Sequence, residues 1–278
     1  MMDDVRKTMK RISWNQYLSL ENPWSKRLLG LEKWSMTRDI SQIEREYNQD
    51  KYGRLLSYNL TNVEEYIKKQ MEGEKITQKN KYIFSLEEEL FETDINMAST
   101  IYQSIIGQIT QSYNPHRICE LGCGYGQNFS YLTKFCAEVY GGEYSKNAVK
   151  IGTQLGLEIN EFNYYNLDDY KIIKKGSLVL TCHSVEQLPS AETMIQGLLE
   201  NRHNIDMVVH FEPTFLSDRS SLVGLLRNRY VELNNYNMDL VSLLFEQWRD
   251  DIEVIEFRPD VVGLNPLNST NIIVWKFR

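Results

Sequence analysis

Cysteine is scarce in this sequence, and its spacing does not suit a structural metal site. Cys119, Cys123, Cys136 and Cys182 are the only cysteines among 278 residues, and no two are spaced as C-x-x-C. Structural zinc sites usually take paired cysteines at that spacing. Three of the four lie in or beside predicted strands and a glycine-rich turn, so we expect reduced thiols that pack in the interior.

Long apolar runs and excess positive charge are also lacking. No stretch approaches the roughly 20 apolar residues of a membrane-spanning helix, and no apolar run follows the few basic residues near the N-terminus. Lys and Arg number 31 against 38 Asp and Glu, which gives a formal net charge of -7. Nucleic-acid-binding chains usually concentrate basic residues on one face. We therefore expect a cytoplasmic protein that binds neither membranes nor nucleic acid.

The sequence has the composition of a folded globular chain. Hydrophobic residues make up 42% and charged residues 25%, and no compositional repeat interrupts the chain. The length suits one α/β domain with an attachment. We assign residues 1–94 to an N-terminal helical cap that acts as a substrate lid, and residues 95–278 to the main domain, with a helical insertion at 213–250.

The main domain shows strands that alternate with helices. Asp94 is a predicted N-cap, because apolar residues recur at helical spacing from Ile95 to Ile109. Helices are also predicted near residues 147–154 and 191–201. Strands are predicted at residues 117–121, 138–143, 157–164, 177–182, 206–211, 252–258 and 271–277. This alternation predicts the α/β class, with a doubly wound, mainly parallel, seven-stranded sheet.

A glycine-rich turn follows the first of these strands. Residues 120–126 read Glu-Leu-Gly-Cys-Gly-Tyr-Gly, at the end of a strand and the start of a helix. Such a turn allows a ligand to approach the backbone closely. A nicotinamide-binding turn would need a glycine at Gln127. About twenty residues on, Glu143 ends the second strand, where a carboxylate can accept hydrogen bonds from both hydroxyls of a ribose that has no 2′-phosphate.

The two motifs ELGCGYG and GGEYS resemble the first and second motifs of the class I S-adenosylmethionine-dependent methyltransferases, over roughly the last 185 residues. The resemblance implies S-adenosylmethionine as the cofactor of a Rossmann-like transferase. It implies that Gly122 and Gly124 border the methionine moiety and that Glu120 helps to orient its amino group. Glu143 would bind the ribose, and Tyr144 would flank the adenine.

The same resemblance implies an adenine-edge segment after the third strand. Asn166, Leu167 and Asp168 match that segment, with Asp168 accepting from the exocyclic amine. Asp169 is the alternative, at a shift of one residue. The two aspartates also suit an ordinary helix start in solvent.

Candidate catalytic residues follow the fourth and fifth strands, where topology places them near the reacting methyl group. His183, His210 and Glu212 occupy these positions, and either histidine could remove a proton from a hydroxyl or amine. His183 could instead shape the methionine pocket, and Glu212 could anchor the acceptor. The three do not form a compact ligand motif, so no metal is assigned.

The acceptor is expected to contact residues in two further segments. Asn265 and Asn268 lie in the loop between the last two strands, although asparagines beside proline also form local turns. Arg219 and Tyr230 lie in the helical insertion. The predicted activity is O- or N-methylation of a small polar metabolite, sugar derivative or natural-product intermediate in biosynthesis. Methylation of a peptide or protein side chain and a silent cofactor-binding subunit are the alternatives, and a homodimer is left open.

Overall fold

The structure is a computed structural model, and it describes residues 6–7, 9–19, 22–73 and 81–278. Ten strands lie in these ranges. They are β1 (Lys10–Ile12), β2 (Tyr82–Leu86), β3 (Glu89–Thr93), β4 (Arg117–Leu121), β5 (Glu138–Glu143), β6 (Ile159–Glu161), β7 (Ser177–Cys182), β8 (Ile205–Glu212), β9 (Ile252–Gly263) and β10 (Thr270–Phe277).

The described α-helices lie between and around these strands. They are α1 (Trp14–Tyr17), α2 (Pro23–Leu28), α3 (Ile40–Ile43), α4 (Arg54–Ser57), α5 (Val63–Gly73), α6 (Ile95–Ser112), α7 (Phe129–Leu132), α8 (Lys146–Gln154), α9 (Glu192–Glu200), α10 (Leu222–Leu233) and α11 (Leu240–Ser242). A π-helical segment, Glu44–Gly53, joins α3 to α4, and a second one, Leu243–Gln247, follows α11. Among the described residues, no helix is long and apolar enough to cross a membrane.

All ten strands form one sheet, in the order β1-β3-β2-β9-β10-β8-β7-β4-β5-β6. Strand β4 lies between β5 and β7 and pairs with both in parallel, and the β5–β6 and β7–β8 pairs are parallel as well. The strand order therefore changes direction at β4. In open α/β sheets a ligand binds beyond the carboxyl ends of the strands at such a point.

The α/β class is confirmed, and the seven predicted strands are present as β4 to β10 with four parallel pairs among them. The whole sheet, however, has ten strands and is not mainly parallel. Five of the nine strand pairs are antiparallel. The extra strands β1, β2 and β3 come from the N-terminal part, which is therefore not purely helical. They extend the sheet because β2 pairs with the end of β9, where Ser85 lies opposite Gly263. The hairpin turn at Glu87 has a positive φ of 55° without a glycine, so its sequence gives no turn signal.

Two local predictions agree with the structure, namely the cap of α6 and the presence of helices in the insertion. Asp94 caps α6 as predicted, since its carboxylate accepts a hydrogen bond from the amide of Met97 at 2.9 Å. The insertion is helical and contains α10 and α11. The third predicted strand, residues 157–164, is much shorter, because β6 ends at Glu161. All four cysteines are free thiols.

The N-terminal hairpin shares an apolar core with the main sheet. Phe84 of β2 and Phe91 of β3 are fully buried, and their ring centroids lie 6.0 Å apart. The same cluster includes Ile106 of α6, Phe211 of β8 and Ile272 of β10. The hairpin and the parallel strands are therefore parts of one packed core.

Replacing Phe84 tests this shared core. We expect Phe84→Ala to lower the free energy of unfolding by about 3–5 kcal/mol, because it leaves a cavity inside the cluster. Urea unfolding followed by circular dichroism measures the change. Phe245→Ala is the control, since Phe245 is 41% exposed and should matter far less. An unchanged main transition in Phe84→Ala would show that the hairpin unfolds separately.

Candidate functional site

The turn after β4 adopts a backbone that favours glycine. Gly122, Gly124 and Gly126 have φ values of 72°, 57° and 83°. A Cβ atom on Gly122 would lie 2.3 Å from the Cβ of Ser184, and one on Gly124 would lie 2.7 Å from the hydroxyl of Tyr52. Both distances are too short for a side chain, so the turn needs glycine because Ser184 and Tyr52 pack directly against its backbone.

Glu143 ties the turn to the end of β5. It is buried, and its Oε2 accepts a hydrogen bond from the amide of Gly124 at 2.8 Å, while its Oε1 accepts one from the amide of Ser145 at 2.8 Å. Burial raises the pKa of Glu143, and the two amides act against that rise. The carboxylate is therefore fixed in one orientation beside the turn.

A cavity of about 110 Å³, here called the glycine-turn cavity, opens over this arrangement. Its described lining comes from the turn, the end of β5, the chain after β6, the chain after β7 and the N-terminal helical segment. Representative residues are Gly122, Glu143, Tyr144, Asn163, His183 and Tyr47. Sequence reasoning expected Gly122, Glu143, Tyr144 and His183 near the cofactor, and the structure brings these four together.

The segment assigned to the adenine edge lies elsewhere. Asn166, Leu167 and Asp168 do not line the glycine-turn cavity, and the exposed carboxylate of Asp168 pairs with Lys171. Because β6 ends at Glu161, the chain reaches the cavity earlier, at residues 163–165. The first polar residue after β6 is therefore the better choice.

That residue is Asn163, which is held by neighbouring groups. Its backbone amide donates to Asp169 Oδ2 at 2.8 Å, and its side-chain oxygen accepts from the amide of Tyr165 at 3.0 Å. Asp169, the alternative adenine contact expected from the sequence, thus holds the backbone of Asn163 in place. Asn163 could have been recognised as the first polar residue after the strand, but the strand was predicted to run to residue 164 and so included it.

The N-terminal helical segment, expected as a lid over the acceptor, closes one side of the glycine-turn cavity instead. Tyr47 and Tyr52 line the cavity from the π-helical turn. Between them, Asn48 Oδ1 accepts hydrogen bonds from Ser145 Oγ at 2.7 Å and from the amide of Asn147 at 2.9 Å. These bonds attach the segment to the start of α8, directly after Glu143. Nothing in the local sequence indicates so distant a contact.

Glu120 supports the turn from the interior and lines neither of the two cavities described in this section. Its Oε1 accepts from Asn128 Nδ2 at 2.5 Å, and its buried Oε2 has no hydrogen-bond partner. Burial raises the pKa of Glu120 to about 8, and the charges of Glu143 and Glu212 add to this rise against the effect of Asn128.

Glu212 is fully buried at the end of β8, where it anchors the chain after β7. Its Oε1 accepts from the amides of Ser184 and Val185 at 3.0 and 3.1 Å, and its Oε2 accepts from the amide of Glu186 at 3.2 Å. Burial raises its pKa to about 6, and the charge of Glu186 adds to the rise. Glu212 therefore holds backbone and does not reach an acceptor, contrary to the prediction.

His183 stands at the centre of the site in a left-handed conformation, with φ of 52°. Its Nδ1 lies 3.3 Å from Glu186 Oε2, and its Nε2 lies 2.7 Å from Thr270 Oγ1. A carboxylate only accepts, so Nδ1 carries the proton and Nε2 accepts from the threonine hydroxyl. Burial lowers the pKa of His183, but Glu186 and Glu212 outweigh this and raise it above the usual histidine value.

His210 does not belong to the site, which corrects its prediction as a catalytic base. It lies inside β8, two residues before the strand ends, and is fully buried. Its Nδ1 contacts Thr181 Oγ1 at 2.8 Å, and its ring packs near Trp275. Burial lowers its pKa to about 3, so the ring stays neutral in the core. The described part of the chain contains no group of three or more potential metal-binding side chains.

A second cavity, of about 370 Å³, lies on the other side of His183. Asn265 and Asn268 line it, as expected for the loop between the last two strands, and several further amide side chains do so as well. We call it the amide-lined cavity, after Gln70, Gln103, Gln127, Asn128, Asn265 and Asn268. His183 lines both cavities, and no other described residue does so.

The two residues expected in the insertion do not line either cavity. Arg219 pairs with Asp260 at 2.5 Å and donates to Asn228 Oδ1 at 2.6 Å, so its charge is used within the fold. Tyr230 is buried, and its hydroxyl accepts from Asn265 Nδ2 at 3.0 Å. Tyr230 thus supports the wall of the amide-lined cavity from behind, and Arg219 has no part in it.

No family model matches this chain, and no curated protein matches it. Solved structures do. The methyltransferase domain of a bacterial Hen1 protein (CtHen1-C) is 13% identical, with a TM-score of 0.47 over 64% of this chain and 98% of that chain. The plantazolicin methyltransferase BpumL with S-adenosylhomocysteine is 15% identical, with a TM-score of 0.43 over 66% and 86%. The magnesium protoporphyrin IX methyltransferase of Synechocystis PCC 6803 with S-adenosylhomocysteine is 14% identical, with a TM-score of 0.46 over 66% and 84%. At identities this low, the function has to be argued from this chain's own residues.

The raised pKa of Glu120 makes a prediction about stability. A carboxyl group whose pKa rises from 4.5 to about 8 on folding makes the folded state less stable as the pH climbs through that window, because the unfolded chain releases a proton that the buried group still holds. Glu120→Gln keeps the acceptor for Asn128 and removes the ionisation. We expect the difference in the free energy of unfolding between Glu120→Gln and the wild type to change by roughly 2–4 kcal/mol in favour of the variant between pH 5 and pH 8.

Urea unfolding at several pH values measures this difference. Glu65→Gln, at an exposed position on α5, is the control and should follow the wild type at every pH. A difference between Glu120→Gln and the wild type that does not change with pH would contradict the assignment.

Proposed function

We propose that this chain is a class I methyltransferase that transfers the methyl group of S-adenosylmethionine to a small polar acceptor. The observation that carries the proposal is the position of His183, which borders the glycine-turn cavity on one side and the amide-lined cavity on the other. A methyl donor in the first cavity and an acceptor in the second would meet at this imidazole. The family resemblance of the turn and the methyltransferases among similar structures support the same reading.

The residues of the glycine-turn cavity fit such a donor. Gly122 and Glu143 both line the cavity, so the methionine end of the donor would lie against Gly122 and its ribose against Glu143. Asn163 takes the place at the adenine edge. Gln187 is buried in the lining, and its Oε1 has no hydrogen-bond partner in the structure. An amino group of the ligand would satisfy this oxygen, which otherwise carries an uncompensated desolvation cost.

The charges around the cavity favour a cation. Glu120, Glu143 and Glu212 are buried carboxyls with raised pKa values, and Glu186 adds to the rise at Glu212. No Lys or Arg stands among the described lining residues. A sulfonium ion brings positive charge into this acidic surrounding and relieves the mutual repulsion of the carboxylates.

His183 supplies the proton acceptor for the reaction. S-adenosylmethionine, when bound, would supply an electrophilic methyl group, and its transfer to an acceptor hydroxyl would leave S-adenosylhomocysteine. His183 Nε2 would take the hydroxyl proton once its hydrogen bond from Thr270, which lines neither cavity, is broken. Glu186 stabilises the resulting imidazolium through Nδ1, and the proton then leaves to solvent.

Removing Glu143 tests the donor site. We expect Glu143→Ala to weaken binding of S-adenosylhomocysteine by about 1–3 kcal/mol, through loss of charge-assisted hydrogen bonds to the ribose. Isothermal calorimetry measures it, with circular dichroism as a check on folding. Asp168→Ala is the matched control, because this carboxylate lies outside the cavity and should not matter. The proposal fails if the wild type gives no heat with either S-adenosylmethionine or S-adenosylhomocysteine.

The pair His183 and Glu186 predicts how the rate depends on pH. The base must be neutral, so kcat/KM should rise with pH through a pKa above the usual histidine value of about 6.5. Glu186→Gln removes the negative charge, so this limb should move to lower pH. His183→Ala should lower kcat by about 10²–10⁴-fold and leave affinity for S-adenosylhomocysteine nearly intact.

Transfer of tritium from methyl-labelled S-adenosylmethionine to the acceptor gives these profiles. In Glu186→Gln the new carbonyl can still accept from His183 Nδ1 and Asn268 Nδ2. Its amide group would draw Gln187 Oε1 away from the donor, so affinity for S-adenosylhomocysteine is measured beside the rate. An unshifted profile in Glu186→Gln, or an unchanged rate in His183→Ala, would mean that another group takes the proton.

A further inference from the structure

The amide-lined cavity carries no charged side chain among its described lining residues. Six amide side chains share the wall with the hydroxyls of Ser99, Tyr82 and Tyr102, and the rest is apolar apart from His183 and Cys182. Its volume of about 370 Å³ falls within the range of roughly 300–1,000 Å³ that is usual for ligand pockets. The wall is therefore polar and contains no Lys, Arg, Asp or Glu among its described residues. Three of its amides are engaged within the fold, since Asn128 donates to Glu120, Asn265 to Tyr230 and Asn268 to Glu186.

A charged acceptor would suit this wall poorly. Moving an ionised group out of water costs several kcal/mol unless an opposite charge meets it. The nearest carboxylate, Glu186, is already engaged, since its Oε2 accepts from Asn268 Nδ2 at 3.0 Å and lies 3.3 Å from His183 Nδ1. An anionic acceptor would be repelled by the same carboxylate. Amide side chains, in contrast, pair with hydroxyl groups both as donors and as acceptors.

Asn268 points to a hydroxyl more directly. Asn268 is only 8% exposed, and it lines the cavity together with His183. Its Nδ2 is bound to Glu186, which fixes the orientation of the amide. Its Oδ1 has no hydrogen-bond partner. A buried carbonyl oxygen left in this state is costly, and a hydroxyl donor would remove that cost.

We propose, on the basis of the function proposed above, that the acceptor is a neutral polyhydroxylated compound of the carbohydrate type and that the reaction is O-methylation. One hydroxyl gives its proton to His183, and a neighbouring hydroxyl donates to Asn268 Oδ1. Gln103 and Gln127, which also line the cavity, would contact further hydroxyls. Asn268 is thereby a specificity residue for a diol, and the lack of charge in the wall excludes acids and protonated amines.

The test compares acceptors that differ only in charge. Purified full-length protein receives methyl-labelled S-adenosylmethionine with a panel of neutral methyl glycosides in the gluco, galacto, manno and rhamno series, with the matching uronic acids and with the amino sugars. We expect at least one neutral glycoside to be methylated with a kcat/KM at least tenfold above its charged counterparts. Preference for a uronic acid or amino sugar, or no transfer to any neutral glycoside, overturns the inference.

Two variants locate the selectivity in this cavity. Asn268→Leu removes the unpaired oxygen together with the hydrogen bond from Nδ2 to Glu186. Loss of the hydroxyl contact should raise the KM for the neutral glycoside about tenfold, the value of one hydrogen bond, while a change at the Glu186–His183 pair would appear in kcat and affinity for S-adenosylhomocysteine stays unchanged. Gln103→Lys places a cation in the wall on α6 and should raise the relative use of the uronic acid at least fivefold. Unaltered selectivity in both variants would place the acceptor elsewhere.

Calorimetry with S-adenosylhomocysteine distinguishes a failure of the proposed methyltransferase function from a failure of the proposed acceptor class. If the wild type does not bind this compound, the methyltransferase proposal itself fails. If the wild type binds it and yet methylates no neutral glycoside, only the nature of the acceptor has been inferred wrongly.

Discussion

The carboxylate of Glu143 is the contact on which the site depends most. Its two oxygens accept from the amides of Gly124 and Ser145, so that one buried side chain joins the glycine turn after β4 to the start of α8. The N-terminal helical segment then attaches at the same place, because Asn48 accepts from Ser145 and Asn147. One short network therefore fixes the glycine turn, the end of β5 and the N-terminal helical segment, and the glycine-turn cavity lies where these three meet.

A second carboxylate plays the matching part on the other side of the cavity. Glu212 accepts from three successive amides after β7, which holds His183 and Glu186 in position. Concentrating acidic groups in the interior has a cost, which appears as the raised pKa values of Glu120, Glu143 and Glu212. A protein keeps such a cost where a ligand offsets it, and a cationic methyl donor would do so.

Residues that look alike in the sequence thus have different parts in the structure. His183 and His210 both follow the pattern of a strand end, but β8 continues for two residues beyond His210, so only His183 reaches the cavities. Among the acidic residues, Glu143 faces the glycine-turn cavity, whereas both oxygens of Glu212 accept hydrogen bonds from backbone amides. Strand length and hydrogen-bond partners decide these outcomes, and neither can be read from residue type.

The sequence by itself determined the features that depend on neighbours along the chain. The glycine turn, the acidic end of β5, the cap at Asp94 and the α/β alternation all follow from local backbone geometry and periodicity, which a short window contains. The tertiary structure alone decided the rest. It brought Tyr47 and Asn48 onto the site across about a hundred residues, added the β2–β3 hairpin to the edge at β9, and shortened β6 so that Asn163, and not Asp168, lines the glycine-turn cavity. These outcomes depend on pairing and packing between distant segments, whose free energies no local pattern records.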